Sequence, residues 1–187
     1  MTKTEIEARV VKAQELFKQG FNCSQSVFAA CADLYGIEDE ALALRLAASF
    51  GGGIGRMRLT CGAACGMFML AGLENGSATA GDADGKKRNY ELVQQLAAEF
   101  KAQHGSITCS DLLGLTAQRS CSDSGPTAQR SCSDSGPTPS ERTEEYYRKR
   151  PCVETVGNAV RIYLTAQRSF SESGPTGVAG LTAKRSK

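Results

Sequence analysis

Phe50-Gly-Gly-Gly-Ile-Gly-Arg-Met-Arg-Leu-Thr-Cys61-Gly-Ala-Ala-Cys65-Gly66 runs a glycine-rich loop into a cysteine placed at a helix start. Upstream, Glu38 to Phe50 is rich in Ala and Leu and reads as a helix, broken by Gly51-Gly52-Gly53. Downstream, the apolar run from Cys61 to Leu73 reads as the next helix, ending around Asn75-Gly76. A phosphate-binding glycine loop follows a strand and ends in Lys-Ser/Thr, and this one does neither. It therefore joins helix to helix, with glycines that let backbone come close to a neighbouring group. A cysteine at a helix N-terminus is readily made a thiolate, the form that attacks disulfides or binds metal.

Working outward, the same helical reading continues. Thr4 to Gln19 carries Ile6, Val10, Ala13 and Phe17 on one face and is stopped by Gly20. A second helix begins at Phe21-Asn22-Cys23-Ser24-Gln25, with Asn22 as N-cap, and ends at Tyr35-Gly36. Lys86 to His104 is a fifth helix, with Leu92, Leu96 and Phe100 at helical spacing. Cys109 to Gly114 makes a short turn, and Ser140 to Arg150 a charged helix. Pro151 suits the first turn of a last helix bearing Val153, Val156, Val160 and Leu164. No stretch alternates with period two. The expected fold is all-α, a compact multi-helix bundle.

One region breaks the pattern. Thr-Ala-Gln-Arg-Ser-Cys-Ser-Asp-Ser-Gly-Pro occupies Thr116 to Pro126 and recurs unchanged over Thr127 to Pro137. A third copy, Thr165 to Pro175, has Phe170 for the Cys and Glu172 for the Asp. These polar, Ser- and Gly-rich units have too little apolar surface to fold alone or to stack as repeats. The expected organisation is one helical domain over 1–164, interrupted by a disordered insertion at 116–137 and followed by a disordered tail at 165–187.

The 187 residues suffice for one domain with a real core, built without Trp and mostly from Leu, Ala, Val and Met. The net charge of +2 is too small to argue for nucleic acid or an anionic membrane as partner. No basic start followed by an apolar stretch suggests a signal peptide, and no apolar run approaches the ~20 residues that span a bilayer. A cytoplasmic location is the expectation. In a reducing compartment, eight cysteines favour metal binding or redox chemistry over structural disulfides.

Cys121 and Cys132 belong to the repeat, whose third copy dispenses with the thiol, so they read as bystanders. Of the remaining six, Cys23, Cys61, Cys109 and Cys152 each follow a capping-type residue or proline at a helix start. The helix dipole and its unpaired N–H groups favour a thiolate at each. Four such thiols suggest helix ends converging on one anionic centre: a cluster held by four thiolates, or a pair of redox disulfides. Cys31 has apolar neighbours and reads as a small buried residue. Cys65 shares a helix face with Cys61 and serves as a resolving thiol, an extra ligand or, on balance, packing, because Gly62 and Gly66 mark that face as a tight contact. No Cys-x-x-Cys occurs, which excludes a thioredoxin-type motif and a zinc knuckle. His104, the one histidine, closes a helix and reads as solvated. Arg56 and Arg58 either offset thiolate charge or face water.

Together the runs Gly20-Phe21-Asn22-Cys23-Ser24-Gln25-Ser26-Val27, Phe50-Gly-Gly-Gly, Cys61-Gly62-Ala63-x-x-Gly66, Thr108-Cys109-x-x-Leu112-Leu113-Gly114 and Arg150-Pro151-Cys152 resemble the C_GCAxxG_C_C family, to which redox activity is ascribed. The resemblance covers roughly 1–115 and 138–164. It maps the four family cysteines onto Cys23, Cys61, Cys109 and Cys152, and leaves Cys65 in a variable position. A similar module in split-Soret cytochromes implies an iron–sulfur site.

The expectation is thus a redox protein whose Cys23, Cys61, Cys109 and Cys152 ligate an iron–sulfur cluster for electron transfer to an unidentified redox partner protein. The second expectation is a thiol–disulfide protein with Cys61 as the attacking thiolate. The third is a structural zinc site or a helical scaffold without cofactor, although zinc is usually held by closely paired ligands.

Overall fold

The computed structural model describes residues 1–115 and 136–173, with side chains as far as 167. Eight α-helices follow in chain order: α1 Lys3–Lys18, α2 Cys23–Ala29, α3 Glu40–Ala47, α4 Gly62–Asn75, α5 Ala83–His104, α6 Cys109–Leu112, α7 Glu144–Lys149 and α8 Cys152–Ser173. Among the described residues there is no strand, only one isolated antiparallel bridge between Thr60 and Thr108. The protein is all-α, and none of its described helices is long and apolar enough to cross a membrane.

The helix ends follow from side-chain chemistry. Thr2 and Glu5 form a reciprocal capping box that satisfies two of the free N–H groups of α1, and Asn22 and Gln25 do the same for α2. Asp39 caps α3 through the amide of Leu42, and Asp82 caps α5 through that of Gly85. At the far end of α5, Gly105 takes the left-handed conformation, at φ 81°, that closes many helices.

The apolar faces read from the sequence are the core. Ile6, Val10, Ala13, Leu16 and Phe17 of α1 are buried along α8, whose Val156, Ala159, Val160 and Leu164 face them. α4 packs on α2, α5 and α8, with Met67 and Leu70 fully buried. Leu92, Leu96 and Phe100 form the buried stripe of α5. The tight face expected of α4 is present. A Cβ on Gly66 would stand 2.9 Å from the Ser24 carbonyl oxygen and 2.9 Å from Val27 Cβ, so α2 and α4 meet almost backbone to backbone. Two bidentate arginine pairs tie distant segments on the rim: Arg9 to Asp33 at 2.7 and 2.8 Å, and Arg161 to Glu7 at 2.9 Å through both nitrogens.

Three of the boundaries that differ from the sequence reading have a cause visible in the fold. The expected helix from Asn22 to Tyr35 stops at Ala29, and a 3-10 turn, Ala32–Tyr35, completes the span. Arg9 takes the carbonyl of Ala30 at 2.7 Å and draws it out of the helical ladder. The charged helix expected from Ser140 starts only at Glu144, capped by Thr143, because the residues before it are held by Arg56. Finally α8 continues through Ser173 rather than ending at 164; Ala166 packs on the core, and Ala, Gln and Arg are good helix formers. The expected insertion and tail lie otherwise outside the described residues.

Candidate redox site

The four cysteines picked out by the sequence all stand at helix starts. Cys23, Cys109 and Cys152 are the first residues of α2, α6 and α8, and Cys61 is the N-cap of α4. These ends converge. Cys23, Cys109 and Cys152 line one cavity, and the Cys23 thiol interacts with that of Cys152 and lies within the electrostatic reach of Cys61 and Cys109. All six cysteines among the described residues are free.

Local backbone explains the convergence. Cys61 N–H donates to Ile107 O at 2.8 Å and Cys109 N–H to Leu59 O at 2.6 Å, so the bridge at Thr60 and Thr108 clips the α4 and α6 entries together. Asn22 Nδ2 donates to Ala48 O at 2.8 Å and Gln25 Nε2 to Leu44 O at 3.1 Å, which fixes the start of α2 against α3. The glycine loop then wraps the site in left-handed backbone. Gly52, Gly53, Ile54, Gly55, Arg56 and Arg58 all have φ between 55° and 74°. Non-glycine residues rarely sit there, at a cost of about 1–2 kcal/mol each. Gly53 has no choice: a Cβ would come within 2.6 Å of Cys109 Cβ. Gly62 is almost as confined, with the Phe50 carbonyl oxygen 2.9 Å and Cys23 Cβ 3.2 Å from the same point. The loop's glycines do allow the close approach to sulfur that its composition implied.

The thiols are not alike. Burial pushes Cys61 up to about 12, although the amides of Ala63 and Ala64 at the start of α4 work the other way. At 6% exposure, desolvation of the thiolate outweighs the helix N-terminus. Cys109 is also raised by burial, opposed by the guanidinium of Arg58, whose Nη1 is 3.9 Å from Cys109 Sγ. Cys23 is raised because its proton is shared with Cys152 and because it is buried. Cys152 alone is lowered, to about 7: the Cys23 hydrogen bond stabilises its thiolate, and Arg150, Arg142 and Arg58 add positive charge. A helix start by itself therefore did not decide which thiol ionises.

The other sulfur and imidazole groups stand apart. Cys31 is fully buried and pushed up to about 12, and Cys65 is pushed up to about 11 by burial, its thiol directed at Thr60 O. His104 is not solvated as expected but lies against the Phe100 ring at 4.6 Å, and burial lowers its pKa.

Sequence reasoning missed the segment that closes the site. Residues 136–150 cross over it, held by Arg56, which donates to Gly136 O and Ser140 Oγ at 3.0 Å each. Arg142 stacks 4.4 Å from the Phe17 ring centroid and 4.7 Å from that of Tyr146, and donates to Phe21 O. Arg150 lies 4.6 Å from the same Tyr146 ring centroid. The sequence reading makes this stretch only a charged helix; the Tyr146-Tyr147 pair between arginines is the available signal that it packs. Of the two readings of Arg58, the place beside sulfur is the one realised: it is buried to 8% exposure next to Cys109. Below this segment lies a cavity of about 330 Å³ with Cys23, Cys109 and Cys152 in its wall.

Four thiolates are a donor set that iron–sulfur clusters and zinc accept. As the side chains stand, however, no group of three or more Cys, His, Asp or Glu among the described residues has a metal-holding arrangement. The geometry on hand is an interacting thiol pair with two further thiols behind it.

The sequence pattern described as "Putative redox-active protein (C_GCAxxG_C_C)" matches residues 21–165. The chain belongs to the C_GCAxxG_C_C family. Neither the curated proteins nor the solved structures contain a match. The matched span of this C_GCAxxG_C_C protein runs from α2 through most of α8 and so contains every thiol of the site.

Proposed function

We propose that this C_GCAxxG_C_C protein is a thiol–disulfide redox protein whose working pair is Cys152 and Cys23, with Cys152 as the attacking thiolate. It is carried by the placing of Cys23 and Cys152 at the converging starts of α2 and α8, in the wall of one cavity, and supported by the lowering of the Cys152 thiol beside Cys23 and the nearby arginines. A thiolate near ambient pH combines a large ionised fraction with good nucleophilicity. Cys152 Sγ attacks a disulfide of a partner and forms a mixed disulfide, releasing one partner thiolate. Cys23 then attacks Cys152 Sγ, forming the Cys23–Cys152 disulfide and releasing the second. Two electrons pass to the partner; the Cys23 proton and one from solvent end on its two thiols. This assigns the attack to Cys152 rather than to Cys61, the residue the sequence put forward, because a thiol held near 12 is almost wholly protonated at neutral pH. A redox titration followed by thiol trapping tests it. Cys152→Ser and Cys23→Ser each abolish a reversible two-electron couple that Cys61→Ser keeps. Retention of the couple in Cys152→Ser defeats the proposal.

The second reading is an iron–sulfur cluster held by Cys23, Cys61, Cys109 and Cys152. It is supported by the four thiols at converging helix starts, and it requires side chains to regroup from the arrangement seen. Iron and sulfide analysis of anaerobically prepared protein tests it: stoichiometric iron and sulfide lost on substituting any of the four cysteines supports it, and their absence after attempted reconstitution rejects it.

A further inference from the structure

One wall of the thiol cavity comes from the stretch before α7, whose Pro137, Pro139, Ser140 and Arg142 line it together with Cys23, Cys109 and Cys152. This stretch has no regular secondary structure until α7 begins at Glu144, and no side chain from 136 to 143 is buried. Pro137 and Pro139 have no N–H to offer a neighbour. Among the described residues, no backbone group of 136–142 bonds to the backbone of another segment. Side chains hold it instead. At one end Arg56 Nη1 donates to Gly136 O at 3.0 Å and to Thr138 O, and Arg56 Nη2 donates to Ser140 Oγ at 3.0 Å. At the other end Arg142 stacks on Phe17 and Tyr146 and donates to Phe21 O, while Tyr147 OH donates to Lys18 O at 3.1 Å. The second end is thus tied to the helical body by aromatic packing, the first by polar contacts to an exposed strip. Segments with few buried contacts open locally at far less than the cost of global unfolding.

We propose that residues 136–141 form a lid over the thiol pair, latched by Arg56 and hinged at Arg142, which passes small molecules when shut and lifts for a disulfide carried on a protein. This rests on Cys23 and Cys152 being the working thiols. A space of about 330 Å³ takes a small molecule, but not the two backbone segments that a protein disulfide brings with it. Arg56 is a positioning residue: it acts through the lid and sets the size of what reaches the pair. Its planar fork of donors grips acceptors on Gly136, Thr138 and Ser140 at once, which the single nitrogen of a lysine does not reproduce. The latch and the thiol wall also share one loop, since Gly53, three residues before Arg56, abuts Cys109.

The test compares N-ethylmaleimide with a maleimide borne on a long polyethylene glycol chain, two reagents with one reactive group and different bulk. Reduced full-length protein is treated with each, and modification of Cys23 and Cys152 is followed as loss of the unmodified peptide. The bulky-to-small rate ratio is divided by that of free cysteine, which cancels thiol reactivity and leaves access. The normalised ratio in the unaltered protein is expected at about one-tenth or less. Arg56→Lys and Arg56→Gln are each expected to raise it about five-fold, while fully buried Cys31 stays unmodified. Equal rises in the two variants separate lost grip from lost charge. Ser140→Ala, which removes one latch contact, is expected to raise the ratio about two-fold. A ratio near one in the unaltered protein overturns the lid, as does an unchanged ratio in the Arg56 variants with Cys31 still protected. Failure of N-ethylmaleimide to reach either thiol also overturns it, because the shut lid passes small molecules. Where Cys31 becomes reactive, the Arg56 variant has lost its fold and Ser140→Ala decides. Access is read without turnover: a missing redox couple removes the protein disulfide as the guest and leaves these ratios unmoved.

Discussion

Cys23, at the start of α2, and Cys152, at the start of α8, line the same cavity, and each thiol shifts the ionisation of the other. The pair joins segments from opposite ends of the matched span, and its asymmetry gives each sulfur a different task. Cys152 is surrounded by Arg58, Arg142 and Arg150 and ionises first, whereas Cys23 keeps its proton until the mixed disulfide forms.

Alkylation by iodoacetamide therefore follows Cys152. Its rate in the metal-free reduced protein rises with pH through a midpoint near the lowered value of about 7 and falls away below it, because only the thiolate reacts. Cys31 and Cys61, held near 12, stay unmodified through neutral pH in the folded protein. Removing the thiol in Cys23→Ala, or the charge in Arg142→Met, moves the Cys152 midpoint upward. Peptide-resolved alkylation across pH 5–9 reads all of this.

The glycine loop is held to glycine by geometry. Gly53→Ala puts a Cβ on a residue at φ 74° and against Cys109, so a loss of about 2–4 kcal/mol in denaturant unfolding is expected. Gly72→Ala is the control: it lies in α4 with open space around its Cβ position, and the same change there is expected to stabilise by about 0.5–1 kcal/mol.

A third prediction concerns the crossing segment. Arg142→Ala removes stacking on Phe17 and Tyr146 and the bond to Phe21 O, and is expected to cost about 1–2 kcal/mol. It should also raise amide hydrogen exchange over 143–150 more than over α1.

Far from the thiols, Tyr163 is 1% exposed and its hydroxyl donates to Leu70 O at 3.2 Å while meeting that of Tyr35. Tyr163→Phe removes the buried hydroxyl's bond to Leu70 O and its contact with Tyr35, whose own hydroxyl keeps Glu74 and Gln167. A loss of about 1–2 kcal/mol without any change in thiol reactivity is expected, from thermal unfolding and alkylation measured together.

How much of this the sequence carried depends on the range of the cause. The stripes of α1 and α5 and the cap at Asn22 come from neighbours within two turns, and local spacing reveals such causes. So does the placing of Cys23, Cys61, Cys109 and Cys152 at helix starts. What was not legible acts across the chain. The Thr60–Thr108 bridge is one residue pair with no period to detect. The break after Ala29 is made by Arg9, one helix earlier. Which thiol ionises turns on burial at Cys61 and on arginines brought to Cys152 by the fold. The crossing of 136–150 over the site depends on Arg56 reaching its carbonyls, and nothing local to either segment announces it.

The central claim is the pairing of Cys23 with Cys152. Mild oxidation of the reduced full-length protein, followed by blocking of free thiols and non-reducing peptide mapping by mass spectrometry, tests it most directly. The account predicts a Cys23–Cys152 disulfide as the first and dominant species, reversed by reductant, with Cys61 and Cys109 recovered blocked. A dominant disulfide that includes Cys61 or Cys109, or no disulfide at the site at all, contradicts it.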